Sequence, residues 1–168
     1  MSGFTLRPAA ESDGAFLCEL YASTREAEMA VVPWSADQKR AFVESQFLAQ
    51  TRSYAGTHPR ATHEVIEVDG VPAGRLYLSR EPDRFHILDI TISPERRNQG
   101  IGSQVLAALL EEASRAGQPV SIYVETFNRS LRLFQRLGFQ PRSQDGFQVF
   151  LERPAAESTP AGADLTDG

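Results

Sequence analysis

A basic, glycine-rich segment contains the residues best suited to chemistry. Residues 90–103 read ITISPERRNQGIGS, in which an apolar stretch ends, a polar loop follows and a helical pattern begins. Free backbone N–H groups at a helix start form an anion site, and the helix dipole adds to it. Gly100 and Gly102 let a phosphate approach the backbone without a Cβ in the way, and Arg96 or Arg97 can neutralise its charge. The segment therefore predicts a phosphate or pyrophosphate cradle.

Two common nucleotide-binding motifs do not match this segment. A Walker A loop requires a lysine directly after its last glycine, and no lysine follows these glycines. A Rossmann fingerprint requires a third glycine, but Val105 stands at that position. Both nucleotide interpretations are therefore weak.

The pattern around the loop resembles that of the GNAT superfamily of N-acetyltransferases. The pyrophosphate loop of that family reads Gln/Arg-x-x-Gly-x-Gly/Ala, and RNQGIG at 97–102 matches it in full. The family ends the preceding strand with an aliphatic-x-Pro element, as ISP at 92–94 does here. The later family layout of Asn, helix, aromatic and Gly-Phe is matched by Asn128, Phe134 and Gly138-Phe139. The resemblance covers residues 4–153.

The resemblance implies an α+β (mixed α/β) acyl-CoA N-acyltransferase fold. Its central, mostly antiparallel sheet would have splayed middle strands, 85–93 and 119–125, with acetyl-CoA in the gap as the acyl donor. Backbone groups of Ile90 and Ile92 would pair with the pantetheine arm, and backbone N–H groups of the loop would hold the pyrophosphate. The implied cofactor-binding residues are Ile90, Thr91, Ile92, Arg97, Asn98, Gln99, Gly100, Ile101, Gly102, Ser103, Asn128 and Phe134.

Three residues are candidates for proton transfer: His86, Asp89 and Tyr123. Many relatives carry a tyrosine general acid where this chain has Phe134, so Tyr123 is the substitute unless the thiolate leaves without a dedicated acid. The family spacing places a base at His86, whose imidazole suits neutral pH; the alternative is a packing role. Asp89 interrupts an apolar strand, where an unpaired carboxylate is costly. It therefore hydrogen-bonds an arginine or a backbone N–H, or it serves as the base.

Polar and aromatic residues near the first helices are candidates for an acceptor pocket. They are Glu28, Trp34, Gln46 and Gln50. Glu28 would attract a cationic amine and Trp34 would stack on it, although Trp34 would equally serve to pack a helix corner. Gln46 and Gln50 stand on an apolar helical stripe, so they need partners or a ligand. His63 lacks the second histidine of a zinc motif, so no metal is predicted.

Alternating apolar patterns predict the elements that must position these residues. We expect the order β-α-α-β-β-β-α-β-α-β-β in one domain, 1–153. The predicted strands are 4–7, 64–68, 73–79, 85–93, 120–124, 139–142 and 147–151. The predicted helices are 11–30, 35 to about 52, 102–116 and 128–137, the last with Asn128 as its N-cap. Asp69-Gly70 and Asp145-Gly146 predict hairpin turns.

Composition limits the class of protein. The chain has 168 residues, 41% hydrophobic and 23% charged, with a net charge of −5, which fits one globular domain. Residues 154–168 read as a disordered acidic tail. Without the three acidic residues of that tail the body carries −2, which argues against a nucleic-acid binder. No apolar run is long enough for a membrane span, no secretory signal is expected, and the single Cys18 favours a cytoplasmic location.

The leading hypothesis is an acetyl-CoA-dependent N-acetyltransferase that transfers acetyl directly to a primary amine of a small molecule or a protein. The mildly acidic body favours a cationic acceptor, and relatives of this kind are often homodimers. The alternatives are a non-catalytic acyl-CoA-binding sensor, supported by Phe134 in place of tyrosine, and a transferase for another acyl-CoA.

Overall fold

The fold is a mixed α/β arrangement over residues 3–155, the part of the chain that this computed structural model describes. The strands are β1 (Thr5–Pro8), β2 (Thr62–Val68), β3 (Val71–Arg80), β4 (Phe85–Ile92), β5 (Val120–Glu125), β6 (Gln140–Asp145) and β7 (Gln148–Arg153). The helices are α1 (Gly14–Thr24), α2 (Glu26–Ala30), α3 (Ala36–Thr57), α4 (Ile101–Ala116) and α5 (Leu131–Arg136). None of these helices is long and apolar enough to cross a membrane. Most of the predicted acidic tail, 156–168, lies outside the described residues.

The seven strands hydrogen-bond in the order β1-β2-β3-β4-β5-β7-β6. β1 pairs antiparallel with β2, and β7 pairs antiparallel with both β5 and β6. β4 and β5 pair in parallel, with Phe85 opposite Val120. The predicted Asp69-Gly70 turn forms, with φ values of 54° and 77°, as such a tight turn requires. The second turn lies one residue later than predicted, at Gly146 and Phe147, because Asp145 still pairs with Gln148; Gly146 has a φ of 63°. The mostly antiparallel sheet confirms the fold class that the resemblance implies.

Contacts divide the chain into two compact units, and the first contains the chain up to Tyr77 together with Asp89–Gly102. Its buried apolar residues include Leu17, Leu20, Val43, Val65, Ile66, Val68 and Leu76. An ion-pair network ties β1 to its neighbours, because Arg7 donates to Asp13 at 2.8 Å and to Glu67 at 2.7 Å. The Arg7 hydrogen bond holds the pKa of Asp13 well below its usual range.

Among the described residues, the second unit contains Leu78–Leu88 and 103–155. The predicted inner face of α4 is confirmed, because five of its side chains are buried: Val105, Leu106, Leu109, Leu110 and Ala113. Arg80 on β3 donates to both carboxylate oxygens of Glu112 on α4, at 2.7 and 3.0 Å. These hydrogen bonds lower the pKa of Glu112 and attach the helix to the strand.

The helix predicted at 11–30 is wrong in its continuity. It is divided into a 3-10 turn, Glu11–Asp13, and the helices α1 and α2, which meet at Arg25. The hydroxyls of Ser23 and Thr24 each donate to a carbonyl oxygen three residues back, at 2.6 Å. Such side-chain bonds compete with the helical backbone ladder, so the helix stops there and restarts.

Two further helix boundaries differ from expectation. α3 opens with the predicted capping box of Ser35 and Gln38 but continues to Thr57, where Pro59 disfavours another turn. α5 begins at Leu131, so Asn128 is not its N-cap. The Asn128 side-chain oxygen instead accepts the backbone N–H of Ser130 at 2.8 Å and forms a turn before the helix.

Candidate active site

The basic loop joins β4 to α4 through a short 3-10 turn, Pro94–Arg96, and an exposed stretch. Asn98 and Gly100 have φ values of 62° and 81°, a left-handed conformation that glycine adopts freely and asparagine tolerates. The Gln99 side chain donates to the Glu95 carbonyl at 3.1 Å and braces the loop. Successive backbone N–H groups in turns with left-handed residues form anion-binding concavities. The loop backbone is therefore suited to an anion.

Gly102 leaves space at the start of α4. A Cβ built there would meet its nearest neighbour, Cγ1 of Ile92, at 3.7 Å, which is an ordinary contact, and its φ is not left-handed. Packing within the unit therefore does not require glycine at this position. A ligand that lies directly against the backbone would require it. Arg96 and Arg97, both half-buried, add positive charge to the same loop.

The end of β4 presents two different faces. Asp89 and Thr91 share one face, where the Thr91 hydroxyl donates to the two carboxylate oxygens of Asp89 at 3.1 and 3.0 Å. Ile90 and Ile92, both half-buried, point to the opposite face. This segment of β4 therefore has one polar face and one apolar face.

β3 runs very close to the end of β4. A Cβ at Gly74 would collide with the carbonyl oxygen of Thr91, so only glycine allows this approach. Next to this contact, the N–H of Ser93 donates to the carbonyl of Ala73 at 2.8 Å. This contact fixes the strand immediately before the basic loop.

Arg75 on β3 organises a polar cluster on the Asp89 face. The residue is 3% exposed. It donates from Nε to Asp89 Oδ2 and from Nη2 to Gln50 Oε1, each at 2.6 Å, and its Nη1 lies 3.5 Å from His63 Nε2. The Asp89 side chain keeps 27% of its surface exposed. The cluster therefore holds one carboxylate in a fixed orientation with an open side.

Aromatic rings enclose the Arg75 guanidinium. Its Cζ lies 5.9 Å from the ring centroid of Phe47 and 5.8 Å from that of Tyr77, within cation–π range. His63 stacks on Tyr77 with the centroids 4.5 Å apart. Burial, and then the Arg75 charge, lower the pKa of His63 to about 4, so this imidazole is neutral near pH 7. Burial also raises the pKa of Tyr54, which meets Tyr77 edge-on, to about 12.

His86 and Tyr123 lie together in the second unit. His86 is 8% exposed, and its Nδ1 lies 2.7 Å from the Ser121 hydroxyl. The Tyr123 ring meets His86 edge-on, with centroids 5.7 Å apart, and it lies 4.9 Å from the ring of Phe150. Tyr123 is 55% exposed. The phenol ring is thus open to solvent, whereas the imidazole is enclosed. Asp89, the third proton-transfer candidate, belongs to the first unit.

Asn128 and Phe134 also belong to the second unit. Asn128 is exposed, and its side-chain oxygen accepts from the backbone N–H and the hydroxyl of Ser130, which leaves its side-chain nitrogen for a ligand. Phe134 is 2% exposed and packs edge-on against Phe139, with centroids 5.2 Å apart. Phe134 is therefore a core residue, and its contact with a cofactor stays a prediction.

Two acceptor candidates lie around α2. Glu28 is exposed and forms an ion pair with Arg25 at 2.8 Å. Trp34 packs edge-on against Phe42, with centroids 5.3 Å apart. The two rings line a shallow apolar depression of about 310 Å³. The helix-corner packing that the sequence offered as an alternative for Trp34 is thus present.

The other two acceptor candidates lie on α3. Gln46 is half-buried. Gln50 is hydrogen-bonded to Arg75, which supplies the partner that a polar group on an apolar stripe needs. Of the four acceptor candidates, Gln50 is therefore the one that the structure connects with Asp89.

Sequence reasoning misses Arg75 and His63. A usable signal for Arg75 exists, because Arg75 and Asp89 are charged residues in the interiors of two consecutive, largely apolar strands, and buried charges pair. One of the alternatives foresees an arginine beside Asp89, and the structure supplies it. His63 has no comparable signal, since its position depends on stacking against Tyr77. Over residues 3–155, no three His, Cys, Asp or Glu side chains are placed to hold a metal ion.

The model of the acetyltransferase (GNAT) family matches residues 18–139. No curated protein sequence gives a significant match. Among solved structures, the PaiA N-acetyltransferase of Thermoplasma acidophilum, in complex with coenzyme A, aligns with a TM-score of 0.68 and 16% identity. The alignment covers 90% of this chain and 99% of that one.

Two further structures give similar results. The ribosomal-protein-S18-alanine N-acetyltransferase of Escherichia coli aligns with a TM-score of 0.63 and 16% identity, over 94% of this chain and 98% of its own. An acetyltransferase from Thermus thermophilus aligns with a TM-score of 0.63 and 17% identity, over 90% and 96%. At these identities the structures establish a shared fold.

Proposed function

Because this chain belongs to the acetyltransferase (GNAT) family, we propose that it transfers an acetyl group from acetyl-CoA directly to a primary amine. The observation that carries the proposal is the loop at 97–102. Asn98 and Gly100 have left-handed backbone conformations in this loop. Gly102 places no side chain at the start of α4, although the packing there has room for a Cβ. A diphosphate held by backbone N–H groups explains both features.

In this proposal, the residues around the β4–α4 loop hold the donor. Backbone N–H groups between Arg97 and Ser103 bind the pyrophosphate, and the Arg97 side chain adds positive charge. Backbone groups of Ile90 and Ile92 bind the pantetheine arm. Bound acetyl-CoA supplies an activated thioester.

The transfer requires an unprotonated amine and two proton movements. A carbon–nitrogen bond forms as the carbon–sulfur bond breaks, the nitrogen loses one proton, and the departing thiolate gains one. We assign protonation of the thiolate to Tyr123, whose ring is 55% exposed, and release of the amine proton to solvent water. His86, enclosed and hydrogen-bonded to Ser121, supports the Tyr123 ring.

The acceptor is proposed to be a primary amine on a small molecule or a protein. The Escherichia coli neighbour is a ribosomal-protein-S18-alanine N-acetyltransferase, so the shared fold admits protein acceptors. The mildly acidic body, which carries −2 without the three acidic residues of the tail, favours a cationic acceptor. Glu28, Trp34 and Gln46 are proposed to border its remote part.

A thermal-shift titration with CoA, acetyl-CoA, ATP and NAD tests the donor. At a hundred times its Kd, a ligand stabilises the native state by about 2.7 kcal/mol, which raises the Tm by roughly 5–10 °C in a chain of this size. A shift with the two CoA species alone supports the proposal. A shift with ATP or NAD instead, or no shift with either CoA species, overturns it.

A second candidate function is acyl-CoA binding without catalysis. Phe134 favours it, because many relatives carry a tyrosine acid at that position and the phenyl ring here is buried in the core. Transfer from another donor, such as succinyl-CoA, is a variant of the first proposal. Repeated turnover of acetyl-CoA and of succinyl-CoA with the same amine separates the three.

We also propose a cytoplasmic location and a homodimeric assembly. The single Cys18 has a pKa raised by burial, so its thiol is unreactive near neutral pH, which suits a reducing cytoplasm. A homodimer is proposed because members of the family are often homodimers. Light scattering in solution tests it against the 18.5 kDa mass of one chain.

A further inference from the structure

We propose that Asp89 binds and orients the acceptor amine and that Arg75 is a positioning residue that acts through it. The inference rests on the proposed function, because it concerns the acceptor side of the same reaction. It assigns the polar cluster of Gln50, His63, Arg75, Asp89 and Thr91 a role in substrate recognition.

The two oxygens of Asp89 are unequally engaged. Oδ2 accepts from Arg75 Nε at 2.6 Å and from the Thr91 hydroxyl at 3.0 Å. Among the described residues, Oδ1 accepts only from the Thr91 hydroxyl, at 3.1 Å. The side chain keeps 27% of its surface exposed. An oxygen with spare lone pairs on an open, anionic side chain is an acceptor for the N–H of an amine.

The Arg75 side chain is buried, and its hydrogen bonds go to other residues of the protein. It is 3% exposed, bound by Asp89 and Gln50, and enclosed by the rings of Phe47 and Tyr77. Its guanidinium is therefore out of reach of a substrate. Its effect on the reaction is to fix the carboxylate, since a charge-assisted hydrogen bond at 2.6 Å restricts the rotation of Asp89.

The position of Asp89 along β4 places its carboxylate next to the proposed donor site. It directly precedes Ile90, at which the proposed donor site begins, and consecutive Cα atoms are about 3.8 Å apart. An amine held by Asp89 is therefore close to the strand segment proposed to hold the acetyl end of the donor. His63 is neutral near pH 7, so the cluster does not present a second cation to an incoming amine.

A double-mutant cycle tests whether Arg75 acts through Asp89. We compare Asp89→Asn, Arg75→Met and the double variant, using acetyl-CoA with spermidine, 2-phenylethylamine and an alanine-led tripeptide as acceptors. Each single variant should lower kcat/KM for the acceptor about 30- to 100-fold and leave the Kd for CoA within about 2-fold. The double variant should fall no further than Asp89→Asn alone. Losses that multiply, or a matching loss of CoA affinity, would overturn the inference.

Two variants separate positioning from folding. Arg75→Lys keeps the charge and should recover part of kcat/KM but not all, because lysine lacks the planar donor geometry. Arg7→Met is the matched control, since Arg7 also pairs with two carboxylates of the first unit, Asp13 and Glu67. It should lower the Tm and leave the acceptor kcat/KM within about 2-fold. If Arg75→Met does not fold, Gln50→Leu removes one of its anchors and should raise the acceptor KM.

A spectroscopic measurement keeps the inference distinct from the proposed function. If wild-type protein acetylates none of the three amines, the proposed function fails. The carbon-13 signal of the Asp89 carboxyl, identified by its loss in Asp89→Asn, is then followed during a spermidine titration of the CoA-bound protein. Movement of that signal supports amine binding at Asp89. An unchanged signal at saturating spermidine overturns the inference.

Discussion

Arg75 donates to Asp89 across 2.6 Å, although the two residues lie on different strands, β3 and β4. Each charge stands between apolar neighbours in the interior of its strand, and neither would be stable there alone. The pair therefore explains how a carboxylate is kept at the end of β4, one residue before the segment proposed to hold the donor.

The cradle at the start of α4 should reject a negative charge. Gly102→Asp places a carboxylate where the pyrophosphate would lie, and we expect the Kd for CoA to rise at least 100-fold, or about 3 kcal/mol. Gly102→Asn is the control of equal size, because it adds the same bulk without the charge. Its Kd for CoA should be about 10-fold lower than that of Gly102→Asp. Calorimetric titration measures both. The added Cβ has room, so a retained Tm with unchanged CoA affinity in Gly102→Asp would contradict the cradle.

The close approach of β3 and β4 should make Gly74 intolerant of any side chain. Gly74→Ala forces a Cβ against the Thr91 carbonyl, and we expect a loss of about 2–3 kcal/mol in the free energy of unfolding. Gly56→Ala is the control, because Gly56 lies in α3 with no atom within 4 Å of the added carbon. It should stabilise the protein by about 0.5–1 kcal/mol. Equal effects of the two substitutions in urea unfolding would refute the close approach.

His63 should make the protein less stable in mild acid. Its pKa is lowered from 6.5 to about 4 in the folded state, so the unfolded chain binds the proton more tightly. The stability that neutral His63 contributes is complete above about pH 6.5 and is lost as the pH falls towards 4. We expect a loss of about 1 kcal/mol between pH 7 and 5, once solvent screening of the partly exposed ring is allowed for.

Unfolding in urea at several pH values measures the His63 effect. His63→Gln should flatten the pH dependence, and His58→Gln, at a histidine outside the cluster, should leave it steep. A pH dependence that His63→Gln does not change would show that the ring is not buried as a neutral group.

Tyr123 should affect turnover and not donor binding. Tyr123→Phe removes the phenol hydroxyl but keeps the ring that contacts His86 and Phe150. We expect kcat to fall about 10-fold or more, with the Kd for CoA and the Tm unchanged. An unchanged kcat would mean that the thiolate departs without a dedicated acid.

Phe134 offers the complementary substitution. Phe134→Tyr restores the residue that many relatives carry, and we expect CoA affinity to be preserved. Because Phe134 is 2% exposed against Phe139, a new hydroxyl without a partner should lower the Tm, by the equivalent of about 1–2 kcal/mol. A fall in CoA affinity instead would show that the ring supports the donor site only through packing.

Much of the fold could be predicted because it depends on local patterns. The inner face of α4, the Asp69-Gly70 turn and the strand before the basic loop follow from apolar periodicity and turn chemistry. The break at Arg25 could not be predicted in the same way. Ser23 and Thr24 either continue a helix or bind back to it, and periodicity does not distinguish the two.

The polar cluster was only half predictable. A lone Asp89 in an apolar strand signals a missing partner, but Arg75 lies 14 positions earlier on another strand, and pairing of strands decides whether the two meet. Gln50 joins from α3, 25 positions before Arg75. Such contacts depend on how helices and strands pack, which a single sequence does not specify.

The most direct test of the account is the fate of the acetyl group. The full chain is incubated with acetyl-CoA labelled with carbon-13 on the acetyl group and with the three amines, and products are identified by mass spectrometry. We expect a labelled N-acetyl amine and free CoA in equal amounts, over many turnovers. CoA that binds but keeps its acetyl group with every amine would contradict the central claim and leave an acyl-CoA-binding protein.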